Sequence, residues 1–197
     1  MKISRPVVFL MSLFTLFVLG GLGLAIIAYL LHIPLTAFFL SGAPWQEQLF
    51  FGFSMGIGIS LLSVFLSSFD FMEDANFMAG AIVKQLNPQW YHILFYSFCA
   101  GVGEELLFRG GIQPLIGLWP TAVIFIFLHG YLRFGSLEAV LSGFYLILIS
   151  AALGFLMIYR GIYAAMAAHF IIDVIMFFFI KKEVAKEGET DYREEED

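Results

Sequence analysis

Charged residues are scarce in this chain of 197 residues. Only 13% of the residues are Asp, Glu, Lys or Arg, and 60% are apolar. Soluble domains average about a quarter charged and about half apolar residues. The mean hydropathy is +0.89. This composition excludes an ordinary soluble domain and indicates a single integral membrane domain.

Cysteine, basic clusters and a common zinc-binding motif are also scarce or absent. Cys99 is the one cysteine, so an intramolecular disulfide cannot form. No segment interleaves basic with aromatic residues, and we expect no nucleic-acid partner. The motif His-Glu-x-x-His does not occur, which excludes the zinc-binding helix of many metalloproteases. The formal net charge of −6 comes mostly from residues 181–197, which we interpret as a charged cytosolic tail.

Long apolar stretches dominate the rest of the chain. A bilayer core about 30 Å thick needs about 20 apolar residues per helix. On that measure the chain is all-α: a polytopic integral membrane helical bundle with about six transmembrane helices. Residues 1–180 form one transmembrane domain, in which 34–40 is too short to cross and is assigned to the interface. The predicted spans are 7–31, 49–69, 90–116, 119–134, 137–159 and 162–180.

Tryptophan and basic residues predict the edges and the orientation of these spans. Trp45, Trp90 and Trp119 each lie at or just before the start of a span, where amphipathic rings favour the headgroup layer. With six spans, eight of the ten basic residues fall on the side of the N-terminus, and only Arg109 and Arg160 fall on the other. The excess of positive charge on cytosolic loops therefore places both termini in the cytosol of a multi-pass cell-membrane protein.

A small set of strongly polar side chains lies well inside the predicted spans. A charge near the centre of a bilayer costs at least about 3 kcal/mol, so such residues are functional candidates. Several are four residues apart and would share a helix face. Depths reckoned at about 1.5 Å per residue agree well enough for one shared cavity. The candidate residues are Glu104, Glu105, Arg109, His129, His169 and Asp173.

These residue types suit peptide-bond hydrolysis within a membrane. Glu104 with His129 would bind and deprotonate a water molecule. His169 and Asp173 would hold the substrate carbonyl and stabilise its oxyanion. Arg109 would pair with Glu105 and fix the helix turn that presents Glu104. A zinc-dependent version would use the ligands Glu104, His129 and His169, with water in the fourth position. We favour the mechanism that requires no cofactor, with zinc as the alternative.

Three motifs in this part of the chain resemble those of the CPBP family of intramembrane proteases, which includes type II CAAX prenyl endopeptidases and bacteriocin-processing or self-immunity proteins. Glu-Glu-x-x-x-Arg matches residues 104–109, Phe-x-x-x-His matches 125–129, and His-x-x-x-Asn/Asp matches 169–173. The motifs occur in order, each on a predicted span. The similar core covers about residues 90–180.

The resemblance implies an intramembrane endopeptidase that acts on a membrane-associated peptide or protein. It assigns water activation to Glu104 with His129, and the oxyanion site to His169 with Asp173. A non-catalytic peptide-binding or bacteriocin-immunity membrane protein is the alternative from another class. A proton-coupled transporter also uses buried Glu and His, but no inverted repeat or paired broken helices are visible in the sequence.

Overall fold

The chain folds into eight helices in the computed structural model, which describes the backbone of residues 4–194 and the side chains of residues 4–73 and 75–186. Helix α1 includes two π-helical stretches, and α5 is continuous over residues 90–116 with a π-helical stretch at Leu106–Ile112. The helices are α1 Arg5–Leu30, α2 Leu35–Phe39, α3 Trp45–Leu66, α4 Glu73–Leu86, α5 90–116, α6 Leu118–Leu128, α7 Leu137–Tyr159 and α8 Ile162–Glu194. The described residues contain no strand, so the all-α prediction is confirmed.

Four of these helices are long and apolar enough to cross a membrane: α1, α3, α7 and the part of α8 from Ile162 to Lys186. Helix α5 follows the predicted span 90–116 but carries Glu104, Glu105 and Arg109. The protein is therefore an integral membrane protein built as a helical bundle. Trp45 and Trp90 are the first residues of α3 and α5, in agreement with the edges expected from tryptophan.

The predicted span 119–134 is wrong at its C-terminal end. Helix α6 has only 11 residues and ends at Leu128, and the backbone is irregular until Leu137. Gly130 has φ +77, and the N–H groups of Gly130 and Tyr131 bond to the carbonyls of Phe127 and Ile126. This pattern is the helix-ending motif in which a left-handed glycine closes the last turn.

Two further helical segments differ from the sequence prediction. Helix α4 was not among the expected spans, and its 14 residues are too few to cross a bilayer. Arg5 closes its C-terminal end by donating to the carbonyls of Leu86 and Asn87 at 2.9 and 2.8 Å. Helix α8 continues into the predicted cytosolic tail as far as Glu194. Residues 195–197 of that tail lie outside the described residues.

Close packing around α8 positions the polar residues of the bundle. Helix α8 packs most extensively on α3, and next on α5. At the α3 interface, a methyl group on Gly52 would approach the Ala164 carbonyl oxygen to 2.5 Å, so glycine permits the close approach. Gln48 accepts a hydrogen bond from Tyr163 N–H at 3.0 Å and thereby caps the start of α8. These contacts fix the rotation of α8, which carries two of the six candidate residues.

Candidate active site

The acidic pair on α5 lies where the helix changes its winding. Trp90–Glu105 is α-helical and Leu106–Ile112 is π-helical; π-helical turns often occur at functional sites. Glu105 is fully buried, and its Oε2 lies 3.3 Å from Nε of Arg109, which is 1% exposed. This contact is an ion pair without hydrogen-bond alignment, because Glu105 Oε2 has no hydrogen-bond partner among the described residues.

Arg109 joins α5 to α7 as well as to Glu105. Its Nη2 donates to both the carbonyl oxygen and the side-chain Oγ of Ser150, each at 2.9 Å. Its guanidinium also lies over the ring of Phe125, 4.6 Å from the centroid, a favourable cation–π contact. A buried charge is tolerated when it is paired and hydrogen-bonded in this way.

His169 on α8 connects the two glutamates. Its Nδ1 lies 2.8 Å from Glu105 Oε1, and since an ionised carboxylate only accepts, Nδ1 carries the proton. Its Nε2 points to the opposite side, 4.0 Å from Glu104 Oε2 and 3.7 Å from Asp173 Oδ2. Glu105 therefore orients His169. This contact is additional to the pairing of Glu105 with Arg109 that the sequence predicts.

His129 reaches the same carboxylate from the end of α6. Its Nδ1 donates to the carbonyl oxygen of Phe125 at 2.7 Å, because a carbonyl has no proton to offer. Its Nε2 then lies 3.4 Å from Glu104 Oε2. The early end of α6 produces this arrangement, since His129 occupies the last turn just before the left-handed Gly130.

A cavity of about 520 Å³ contains the reactive side of this cluster. Glu104, His129, His169 and Asp173 line it, whereas Glu105 and Arg109 do not. Its walls are mainly apolar and come from seven helices, and Tyr131, Tyr145, Ser63 and Asn76 are among its further polar residues. From the cluster it extends to Leu86 and Ile180, near the end of the bundle at which Arg5 and Lys181 bond to backbone carbonyls.

The structure thus brings all six candidate residues into one cluster, with two layers. Four face the cavity, and the buried ion pair lies behind them. Sequence analysis missed the two hydrogen-bond acceptors of this supporting layer, Ser150 and the Phe125 carbonyl. Ser150 is a small polar residue within an apolar span, and Ser142 has the same sequence character, so sequence offers no means to choose between them. A backbone carbonyl gives no sequence signal.

The donor set has the chemistry of a zinc site. Both imidazoles present Nε2 while Nδ1 donates to a carboxylate or a carbonyl, as metal-bound histidines commonly do. Among the residues that the structure describes, however, no group of three or more His, Cys, Asp or Glu side chains has an arrangement that could hold a metal ion.

Comparison with known proteins confirms the resemblance expected from the three motifs. Residues 86–175 match the family model of the type II CAAX prenyl endopeptidase Rce1-like proteins. This segment contains all six candidate residues. A protein described as uncharacterized protein YpbD, from Bacillus subtilis (strain 168), is 36% identical over 101 residues. That alignment covers 51% of this chain and 51% of the relative, so the chain matches about half the length of this curated protein. The comparison with solved structures gave no significant match.

Proposed function

We propose that this chain is an intramembrane endopeptidase of the type II CAAX prenyl endopeptidase kind, which hydrolyses a peptide bond in a membrane-associated peptide or protein. The similarity of residues 86–175 to that family supports the reaction class. One geometric observation carries the mechanism. Glu104 Oε2 lies 3.4 and 4.0 Å from the Nε2 atoms of His129 and His169 within one cavity.

The attacking water binds between Glu104 and His129. With Nδ1 of His129 donating to Phe125, Nε2 of the neutral ring is an acceptor. The water donates one hydrogen to Glu104 Oε2 and the other to His129 Nε2, and its free lone pair attacks the carbonyl carbon. Glu104 takes the proton as general base and later passes it to the leaving amine.

The tetrahedral intermediate is stabilised from the α8 side. In its imidazolium form His169 donates through Nδ1 to Glu105 and through Nε2 to the developing oxyanion. A donor aimed at the oxyanion typically contributes about 10²–10³ in rate. Glu105 and Arg109 are positioning residues, because they hold His169 and the turn of α5 without lining the cavity.

The substrate enters from the cytosolic side. The cavity extends to Leu86 and Ile180, close to the basic residues Arg5 and Lys181, which bond to the carbonyls at the α4–α5 connection. The excess of Lys and Arg on the side of the N-terminus supports a cytosolic position for this end of the bundle. A cytosolic or membrane-embedded peptide segment would therefore reach Glu104 from that face.

The test compares wild-type protein with Glu104→Gln in lipid vesicles that also contain a membrane proteome, with the cleaved peptides identified by mass spectrometry. Wild type should generate new peptide ends. Glu104→Gln should lose about 10²–10⁴ in rate, the range for general acid–base catalysis. Glu138→Gln is the matched control, because Glu138 is exposed at the start of α7 and does not line the cavity.

If the wild-type protein cleaves no peptide, the protease proposal is refuted. Retained affinity for a peptide without turnover would instead support a binding or immunity protein. Full activity of Glu104→Gln would refute the assigned mechanism while leaving the protease class intact.

Zinc-dependent hydrolysis is a second candidate mechanism, because both imidazoles present Nε2 to Glu104, but it would require the three side chains to rearrange around the metal. Metal analysis of active protein, followed by chelation and zinc addition, separates the two mechanisms. Activity that survives chelation supports the glutamate mechanism. Stoichiometric zinc in the active protein, with activity lost on chelation and recovered on zinc addition, would favour the zinc mechanism over the glutamate mechanism.

A further inference from the structure

We propose that Tyr131 is a further catalytic residue, whose hydroxyl donates a hydrogen bond to the oxyanion of the tetrahedral intermediate. This inference rests on the proposed function. It arises from three observations: the place of Tyr131 in the cavity, the unused proton of its hydroxyl, and the carboxylate on the oxyanion side of the site.

The fold places Tyr131 in the cavity that contains the reacting groups. Tyr131 follows Gly130, and its backbone N–H bonds to the Ile126 carbonyl at 3.3 Å to close the end of α6. Its ring packs against the buried cluster that includes Leu107 and Phe108. The side chain lines the same cavity as Glu104, His129, His169 and Asp173. The ring is thus fixed by packing, which is the preorganisation that an oxyanion donor needs.

Two of the tyrosines that line the cavity, Tyr131 and Tyr145, differ in what their hydroxyl protons do. Ser63 donates its own proton to the Ile59 carbonyl, so it must accept from Tyr145 across the 2.8 Å contact between the two hydroxyl groups. The Tyr145 proton is therefore engaged. By contrast, the Tyr131 hydroxyl makes no hydrogen bond with the described residues. Its proton is available to a substrate.

A neutral donor suits the oxyanion side of the site better than a charged one. Asp173 Oδ2 lies 3.7 Å from His169 Nε2, beside the donor that would face the oxyanion. An ionised carboxylate there repels a second negative charge and offers no proton. The Tyr131 side chain lines the same cavity as Asp173. A phenol donates without carrying a charge, so it stabilises the oxyanion without needing Asp173 to be protonated.

The test uses full-length protein in vesicles, the peptide identified as its substrate, and a phosphinate analogue in which a tetrahedral PO₂⁻–CH₂ group replaces the scissile bond. Tyr131→Phe keeps the ring and removes the hydroxyl. We expect kcat to fall about 10²–10³-fold, with KM changed less than about threefold. Affinity for the phosphinate should fall with kcat/KM, because the analogue resembles the transition state. Tyr159→Phe is the matched control and should stay near wild type, because Tyr159 is exposed at the end of α7 and does not line the cavity.

The outcomes separate this proposal from the proposed function. If Glu104→Gln is inactive but Tyr131→Phe retains wild-type kcat, the role of Tyr131 is refuted and the protease assignment stands. A loss confined to KM, an equal loss in Tyr159→Phe, or unchanged phosphinate affinity would also refute it. The role of Tyr131 is also refuted if the loss of activity in Tyr131→Phe is fully explained by a loss of thermal stability. Absence of turnover in wild type would overturn both proposals.

Discussion

Replacing Glu105 by Gln should destabilise the protein far more than the same change at the neighbouring Glu104. Glu105 is fully buried and Arg109 is 1% exposed, so loss of the carboxylate charge leaves a buried guanidinium without its ion-pair partner. The amide oxygen of Gln can still accept from His169 Nδ1, which now bonds to Glu105 Oε1 at 2.8 Å. The substitution thus removes the charge while retaining the hydrogen bond.

The expected cost follows from the environment of the ion pair. Breaking a buried pair by removing one partner costs about 3–5 kcal/mol, because the remaining charge is desolvated without compensation. Two bonds from Arg109 to Ser150 persist, which places the value toward the lower end. At about 2–4 °C per kcal/mol for a chain of this length, the unfolding midpoint should fall by on the order of 10 °C. Glu104 is 14% exposed at the cavity and pairs only with imidazoles, so Glu104→Gln should unfold near the wild-type temperature.

The single cysteine provides the assay. Cys99 is fully buried on α5, so a thiol-reactive fluorophore should label it only as the protein unfolds during heating in detergent. Glu105→Gln should become labelled at a lower temperature than wild type and keep part of its turnover. Glu104→Gln should become labelled near the wild-type temperature and lose its turnover. The double variant Glu105→Gln/Arg109→Met removes both charges and should recover part of the lost stability. Equal midpoints for Glu105→Gln and wild type, or a double variant less stable than Glu105→Gln, would refute the ion-pair reasoning.

Two smaller perturbations test the packing behind the site. Gly103→Ala should lower the unfolding midpoint, because its methyl group would lie 2.7 Å from the Thr15 carbonyl carbon where α1 crosses α5; Gly21→Ala is the control, since its methyl meets open space. Equal midpoints for the two variants would contradict that close crossing. Ser150→Ala removes one of two acceptors of Arg109 Nη2 and keeps the backbone carbonyl, so we expect a loss of about 1–3 kcal/mol. A loss as large as that of Glu105→Gln would mean that Ser150, and not Glu105, is the main partner of Arg109.

The helical class could be predicted from composition because a membrane forces it. Backbone polar groups in lipid must be satisfied within the segment, and long apolar stretches then become helices. The end of α6 could not be predicted from hydropathy, since residues 131–134 remain partly apolar but follow Gly130, which has φ +77. Helix α4 was missed for the opposite reason. It carries acids and a lysine among its apolar residues, and it is tied to the bundle by the distant Arg5.

The candidate site was more predictable than the helix ends. Polar residues inside spans are rare, and the cost of burying each one favours a shared location. Spacing gave the pairing of Glu105 with Arg109. It could not give the contact of Glu105 with His169, because that contact joins residues 64 positions apart and depends on how α8 is rotated against α5.

That rotation also decides which nitrogen of each imidazole is available for chemistry. A motif such as His-x-x-x-Asp places a ring on a helix face but leaves both ring nitrogens equivalent. Here Glu105 binds Nδ1 of His169 and the Phe125 carbonyl binds Nδ1 of His129, so both Nε2 atoms face Glu104. The residues behind the cavity therefore determine the direction of hydrogen bonding within it. For this reason a change at Glu105, which does not line the cavity, should alter the protonation of His169 as well as the stability of the fold.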